Sequence, residues 1–370
     1  MITDDEITKI SYIIASRFEK VNIYYLTLLA KQVKEIGNLS PENLHTLEQM
    51  AKMGANIDKI NTFLSMQTGL ALNDIDKLYD RVAYDIYKDV VNMYKAGNVA
   101  QPKFKDNARL QAYLNSTKQL TKNTFINMSN TTAISNTYRN TIDFAVDAVS
   151  QGLDNYDDAM KKFIINTSTN GAKIQYSSGV TRRIDSAARM NILEGVRKLS
   201  DGIREECGRQ YGADGVEIDA HGLCAKDHQH VQGKQYTFEE FSKLNNSLQR
   251  KIGTCNCKHK IQYIIMGVSK PAYTPNELKE LREYANKEIT VKDKTMTRYE
   301  ASQKMRVLET QMRYKQDEIV ALRKSGSDDK KQVDQLRQLK KQYYYISKRA
   351  GLKTRYDRAY VPGFDINKFA

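Results

Sequence analysis

Three of the five histidines and one of the four cysteines fall within "HGLCAKDHQHVQGKQY", residues 221–236. Shortly afterwards "GTCNCKHKI", residues 253–261, adds two cysteines and another histidine. A structural zinc site takes about four Cys or His ligands, usually delivered as two close pairs. Cys224 and His228 make one pair, and Cys257 with His259, or Cys255 with Cys257, make the other. The candidate metal set is therefore Cys224, His228, Cys257 and His259, with zinc as the ion. The competing reading is a set of buried thiols and turn-forming histidines that hold no metal.

Hydrolytic chemistry is a further alternative. A metal-dependent nuclease of the His-Asn-His kind would draw on His221, Asp227, His228, His230, Asn256 and His259. Their order does not form a strand–strand–helix unit, and no Cys–His pair stands out as a nucleophile with its base. No Walker-type phosphate loop is present. No catalytic residue is assigned, and no cofactor is required.

The elements that must position this loop are legible on both sides. "GAKIQYSSG" reads as a short strand ending in a Ser-Ser-Gly turn. Ile184, Ala188, Ile192, Val196, Leu199, Ile203 and Cys207 recur at steps of three and four and mark one apolar helix face. Arg182, Arg183, Arg189 and Arg197 fall among the polar positions and are the candidate nucleic-acid contacts. "DGVEIDAHG" reads as a strand leading into the ligand-rich loop, and "HKIQYIIMGVS" as another after it. Thr237 with Glu240, and Thr274 with Pro275 and Glu277, are helix-start signals.

Beyond that centre the chain is helical. Ile7, Ile10, Ile14, Phe18, Ile23, Leu26 and Leu29 carry a helix period, and Ser40, Pro41 and Gly54 suggest the bounds of a second helix. Asn73 is read as the cap of a third, and His45 as a surface or packing residue. Residues 115–135, rich in Asn, Thr and Ser, suit either a polar-faced helix or an extended arm. Met305, Leu308, Met312, Ile319 and Leu322, then Leu336, Leu339, Tyr343, Ile346 and Ala350, predict a coiled-coil-like antiparallel hairpin. The expected fold is mainly α with a small α+β central domain. Its segments are a helical N-terminal module (1–100), a polar helical connector (101–170), the central α+β domain (171–273), the helical hairpin (274–352) and an extended basic-aromatic tail (353–370).

A formal charge of +14 favours an anionic partner, with nucleic acid first because phosphate neutralisation needs no sequence readout. The acidic start "MITDDEITKI" is unlike a signal peptide, and no apolar run approaches the ~20 residues of a membrane span. With every cysteine between 207 and 257, a distributed disulfide framework is not expected. A reduced, cytoplasmically made, soluble protein, with no membrane partner, is the expectation.

Taken in order, Tyr176-Ser-Ser-Gly179, the Arg183/Arg189 helix, "GADGVEIDAHGLCAKDHQHVQGKQY", "CNCKH", "GVS" and "YT" resemble the tailed-phage minor capsid protein 2 family. That family is similar in role to the head morphogenesis proteins of Mu-like phages. The resemblance spans most of the chain and is most specific in its middle. His221, Gly222, His228, Gln232, Gly233, Asn256, Cys257 and His259 fall on motif positions of the family loop. Ala225-Lys226 departs from a common Arg-Pro pair, and Val231 from a common Trp. The resemblance implies a non-enzymatic, portal-associated virion protein of the phage head, near the portal vertex. Its partners would be portal and capsid proteins and, non-specifically, phage DNA. A metal-dependent nuclease and a zinc-stabilised interaction module without DNA contact are the alternatives.

Overall fold

The structure is a computed structural model describing residues 4–39, 47–94, 103–150, 156–176, 178–254, 257–292, 294–361 and 364. Its organising element is α1 (Asp4–Gly37), whose residues Ile14, Phe18, Leu26 and Leu29 are buried at the expected period. Around it pack α2 (Leu47–Tyr94), α4 (Ile134–Ser150), α5 (Tyr156–Asn170), α6 (Ile184–Gln210) and α9 (Arg298–Ser325). Ile23 points from α1 to a second core, formed mainly on α9 and α10 (Lys330–Ala350).

Gly54 and Asn73 do not bound separate helices: both lie inside the single 48-residue α2. A turn-type residue costs a helix only about 1 kcal/mol, which the burial of Ile60, Leu64, Ile75, Tyr79 and Val82 outweighs. Ser40, Pro41 and His45 lie outside the described residues.

The polar stretch 115–135 is helical for most of its length, in α3 (Ala108–Asn130) and the start of α4. Its threonines satisfy themselves along the helix, as when Thr117 Oγ1 donates to the Tyr113 carbonyl at 2.8 Å. Buried Thr121 also meets the Tyr79 hydroxyl at 2.7 Å. Helices α1 to α6 thus share one core, which includes the whole apolar face predicted for α6.

Among the described residues the β structure comprises three small antiparallel sheets. β1 (Lys173–Gln175) pairs with β2 (Thr181–Arg183) directly before α6. Downstream of α6, β3 (Gly215–Ile218) is flanked by β4 (Gln235–Thr237) and β5 (Ile261–Ile264). This sheet rests on α6 through β5. Gly208 allows the approach, since a Cβ there would lie 2.4 Å from Tyr263 Cβ. Capping boxes open α7 (Phe238–Ser247) at Thr237/Glu240 and α8 (Pro275–Asn286) at Thr274/Glu277, as the sequence indicates.

A third box, Thr297/Glu300, opens α9 after the hairpin of β6 (Glu288–Val291) and β7 (Lys294–Thr297). α9 and α10 run antiparallel. Arg298 Nε at the start of one donates to the Ala350 carbonyl at the end of the other, 2.8 Å away. Gly326, at φ +76°, closes α9 in the left-handed conformation that glycine adopts without a Cβ penalty. The tail does not simply extend: Val361 and Phe364 are buried on this second core, and Gln316 bonds the backbone of Ala359 and Val361. Among the described residues, no helix is long and apolar enough to cross a membrane.

One internal polar cluster ties α1, α6 and α9 together. Arg183 donates to Asp317 at 2.5 Å, to Glu19 at 3.1 Å and to Asp185 at 3.1 Å. Arg313 reaches the other oxygen of Asp185 at 2.8 Å, and Asn22 joins Asp317 to the backbone amide of Ala172. Burial, with Asp185 and Asp317 alongside, pushes the Glu19 carboxyl well above its usual range. Burial opposes ionisation of Asp185 as well, but Arg183 and Arg313 prevail and hold it well below. A proton retained by Glu19 leaves two arginines facing two aspartates, a balanced set for a buried site.

Candidate metal centre

The ligand-rich loop leaves β3 at Ile218 and returns at β4. Two backbone bonds clamp its neck: Gly233 N donates to Ile218 O at 2.7 Å, and Ile218 N to Lys234 O at 3.2 Å. Gly233 sits at φ +69°, and a Cβ there would lie 2.2 Å from Leu278 of α8. Gly222 also lies against α8, beside Tyr284. These two motif glycines therefore serve close packing.

The second half of the site enters from β5. Asp219 Oδ1 accepts from Lys260 N at 2.5 Å, and Asp219 N donates to Lys260 O, which fixes His259 opposite the loop. Asp227 is gripped by Arg250 through two bonds of 3.0 and 2.5 Å. That grip brings the Arg250 carbonyl to 2.6 Å from His228 Nε2.

The tertiary structure brings His228, Cys257 and His259 together, with one ligand atom of each within 4.8 Å of the others. Cys257 Sγ lies 3.2 Å from His259 Nδ1 and 3.8 Å from His228 Nδ1. Cys224 is near but stands apart. Its Sγ faces the opposite edge of the His259 ring, 3.5 Å from Nε2, and donates to the Ala225 carbonyl at 3.3 Å. Of the four residues predicted as a ligand set, three converge and Cys224 flanks them. Cys255 and Asn256 lie outside the described residues.

Gln232 is the organiser that ligand counting alone missed. Its buried Oε1 accepts from His221 N at 3.1 Å and lies 3.1 Å from His259 Nε2. The His221 ring packs on His259 with centroids 4.5 Å apart. Burial, with His221 and His228 adjacent, lowers the His259 pKa to about 3, so the imidazole is neutral. Burial also raises the Cys224 thiol to about 12 and moves Cys257 upward. His230 points outward to solvent. Asp227, committed to Arg250, is held away from a general-base role.

The four arginines proposed as nucleic-acid contacts fare differently. Arg183 is buried in the internal cluster, so that assignment is corrected: its guanidinium is taken up by Asp317, Asp185 and Glu19. Arg197 is paired with Glu194 and Asp201, each at 2.7 Å, and Arg189 lies over the Tyr12 ring. Arg182 alone of the four is exposed.

These features define a mainly helical, basic protein whose ligand-rich loop is braced on both sides. A family model described as Phage minor capsid protein 2 matches residues 2–346, nearly the whole chain, and the chain belongs to that family. Membership carries a structural role in a phage particle. No curated protein and no solved structure matches the chain significantly.

Proposed function

We propose that the protein is a non-enzymatic component of the tailed-phage head, placed inside the capsid near the portal vertex. There it contacts portal and capsid proteins during head morphogenesis and holds DNA without sequence preference. The observation that carries the DNA part is the outer face of α10. Residues 330–358 hold ten Lys and Arg against Asp334 and Asp357 alone, so much of the net charge of +14 is concentrated there. Arg337, Lys341, Tyr344 and Lys348 are exposed at spacings of four, three and four, which lines them along one side of the helix. Tyr345 and Tyr360 are exposed beside this basic surface. Cations over this length suit backbone phosphates, and the tyrosine rings suit exposed bases or sugars.

The test is binding of the full-length protein to unrelated DNA duplexes across a salt series. Neutralising about four phosphates gives a log–log slope near −3.6, or roughly 100-fold weaker binding at 200 mM than at 50 mM salt. Lys341→Glu with Lys348→Glu should flatten that slope by about two. A salt-independent affinity, or one unmoved by the double variant, would sink the DNA assignment. Co-expression with the phage portal protein tests the other half: a complex that survives size exclusion is expected, and separate elution argues against the portal contact.

A further inference from the structure

The hydrogen bonds around the Cys/His cluster fix where its protons sit. A carbonyl oxygen only accepts, so His228 Nε2, 2.6 Å from the Arg250 carbonyl, carries the hydrogen. The Gln232 oxygen already accepts from His221 N, which identifies it as Oε1, so His259 Nε2 carries its hydrogen as well. In the neutral imidazole form each ring then presents an unprotonated Nδ1, and both Nδ1 atoms face Cys257 Sγ. Two lone pairs converge on one thiol, which has a single weak hydrogen to give. A cation at that point would satisfy all three atoms.

The sulfur–nitrogen spacing matches. With Zn–S near 2.3 Å and Zn–N near 2.0 Å, a tetrahedral ion separates sulfur from nitrogen by roughly 3.5 Å. The observed separations are 3.2 and 3.8 Å. The outer shell is also of the kind that metal-bound histidines use, a backbone carbonyl behind one ring and a side-chain amide oxygen behind the other. Finally, the apolar cluster on the loop's side of the sheet is small: among the described residues Ile218, Val231 and Ile252 are its buried members, with Cys257 packed against them. A module with so little apolar interior gains from a staple.

We propose that His228 Nδ1, Cys257 Sγ and His259 Nδ1 hold one zinc ion that pins the 219–234 loop to the segment entering β5. Nitrogen and sulfur donors of this kind select zinc over magnesium or calcium. Binding displaces the Cys257 thiol proton to solvent, and three protein ligands leave one position for a water molecule. Cys224, at the far edge of the His259 ring, is not a ligand.

The test uses full-length protein, with zinc alone as the probe. Equilibrium dialysis followed by metal analysis should find about one zinc per chain. Cys257→Ser and His259→Gln should each reduce this to background, whereas Cys224→Ser should retain it. Gln232→Leu, which removes the amide behind His259, should weaken zinc binding about 10- to 100-fold. Alkylation of the wild-type chain gives a readout independent of how the variants fold. Cys257 should be protected in the zinc-loaded protein and modified after chelation, with Cys207, buried on α6, unchanged as the reference. No zinc taken up by the wild type, equal alkylation of Cys257 in both states, or loss of zinc in Cys224→Ser would each overturn the assignment.

Discussion

Replacing Arg183 with Met keeps an unbranched side chain and removes the charge that Glu19, Asp185 and Asp317 share. Arg183 is 5% exposed, and its three carboxylate partners are as deeply buried. Taking one partner out of a buried ion pair typically costs about 3–5 kcal/mol, because the remaining charge is left uncompensated. Arg313 still reaches Asp185 and Glu19 keeps its proton, so the burden falls mainly on Asp317. The expected loss at pH 7 is therefore about 3–5 kcal/mol, read by urea denaturation followed by far-ultraviolet circular dichroism.

The pH dependence carries the sharper test. Glu19 and Asp317 already have raised folded-state pKa values, and losing Arg183 raises them further. A raised carboxyl pKa contributes stability that is present below the unfolded value, near 4, and lost as pH climbs through the folded value. Each additional proton held by the folded variant is worth about 1.4 kcal/mol per pH unit, so the deficit should shrink by up to about 3 kcal/mol between pH 7 and pH 5. A deficit below about 1 kcal/mol at pH 7, or one that grows on acidification, would refute the buried-cluster account.

Other positions test the packing. A Cβ on Gly195 of α6 would lie 1.9 Å from the Tyr79 hydroxyl and 2.6 Å from Thr121 Oγ1, so Gly195→Ala should cost about 1–3 kcal/mol. Adding Tyr79→Phe should recover part of that loss in thermal melts, and strict additivity of the two changes would count against the contact. Thr297→Ala removes the cap of α9 and should lower stability by about 0.5–2 kcal/mol, while Thr297→Ser should be nearly neutral. A melting temperature unchanged by the alanine would mean that packing of α9, not its cap, sets the start of the helix.

The sequence by itself determined the elements whose signals are local. The face of α6 from Ile184 to Cys207 follows from periodicity, because a 3.6-residue repeat fixes which side chains can share a side. The starts of α7 and α8 follow from Thr237/Glu240 and Thr274/Glu277, because a capping box is complete within four residues. Thr297/Glu300 carries the same signal and was equally readable. Gly54 and Asn73 misled because intrinsic propensity is a weak preference that the core around α1 overrides. The candidate site divides in the same way. Residue types marked the 221–259 region as ligand-rich, but only the pairing of β3 with β5 brings His228 within reach of Cys257 and His259. The same tertiary arrangement leaves Cys224 on the far side of a ring and turns Gln232 into its anchor. The buried cluster is the clearest case. Glu19 of α1, Arg183 at the end of β2 and Asp317 of α9 meet from positions about 130 to 300 residues apart in the chain, and no local pattern specifies which charge faces which. Periodicity tells a side chain whether to face inward; only the packing of α1, α6 and α9 decides what it finds there.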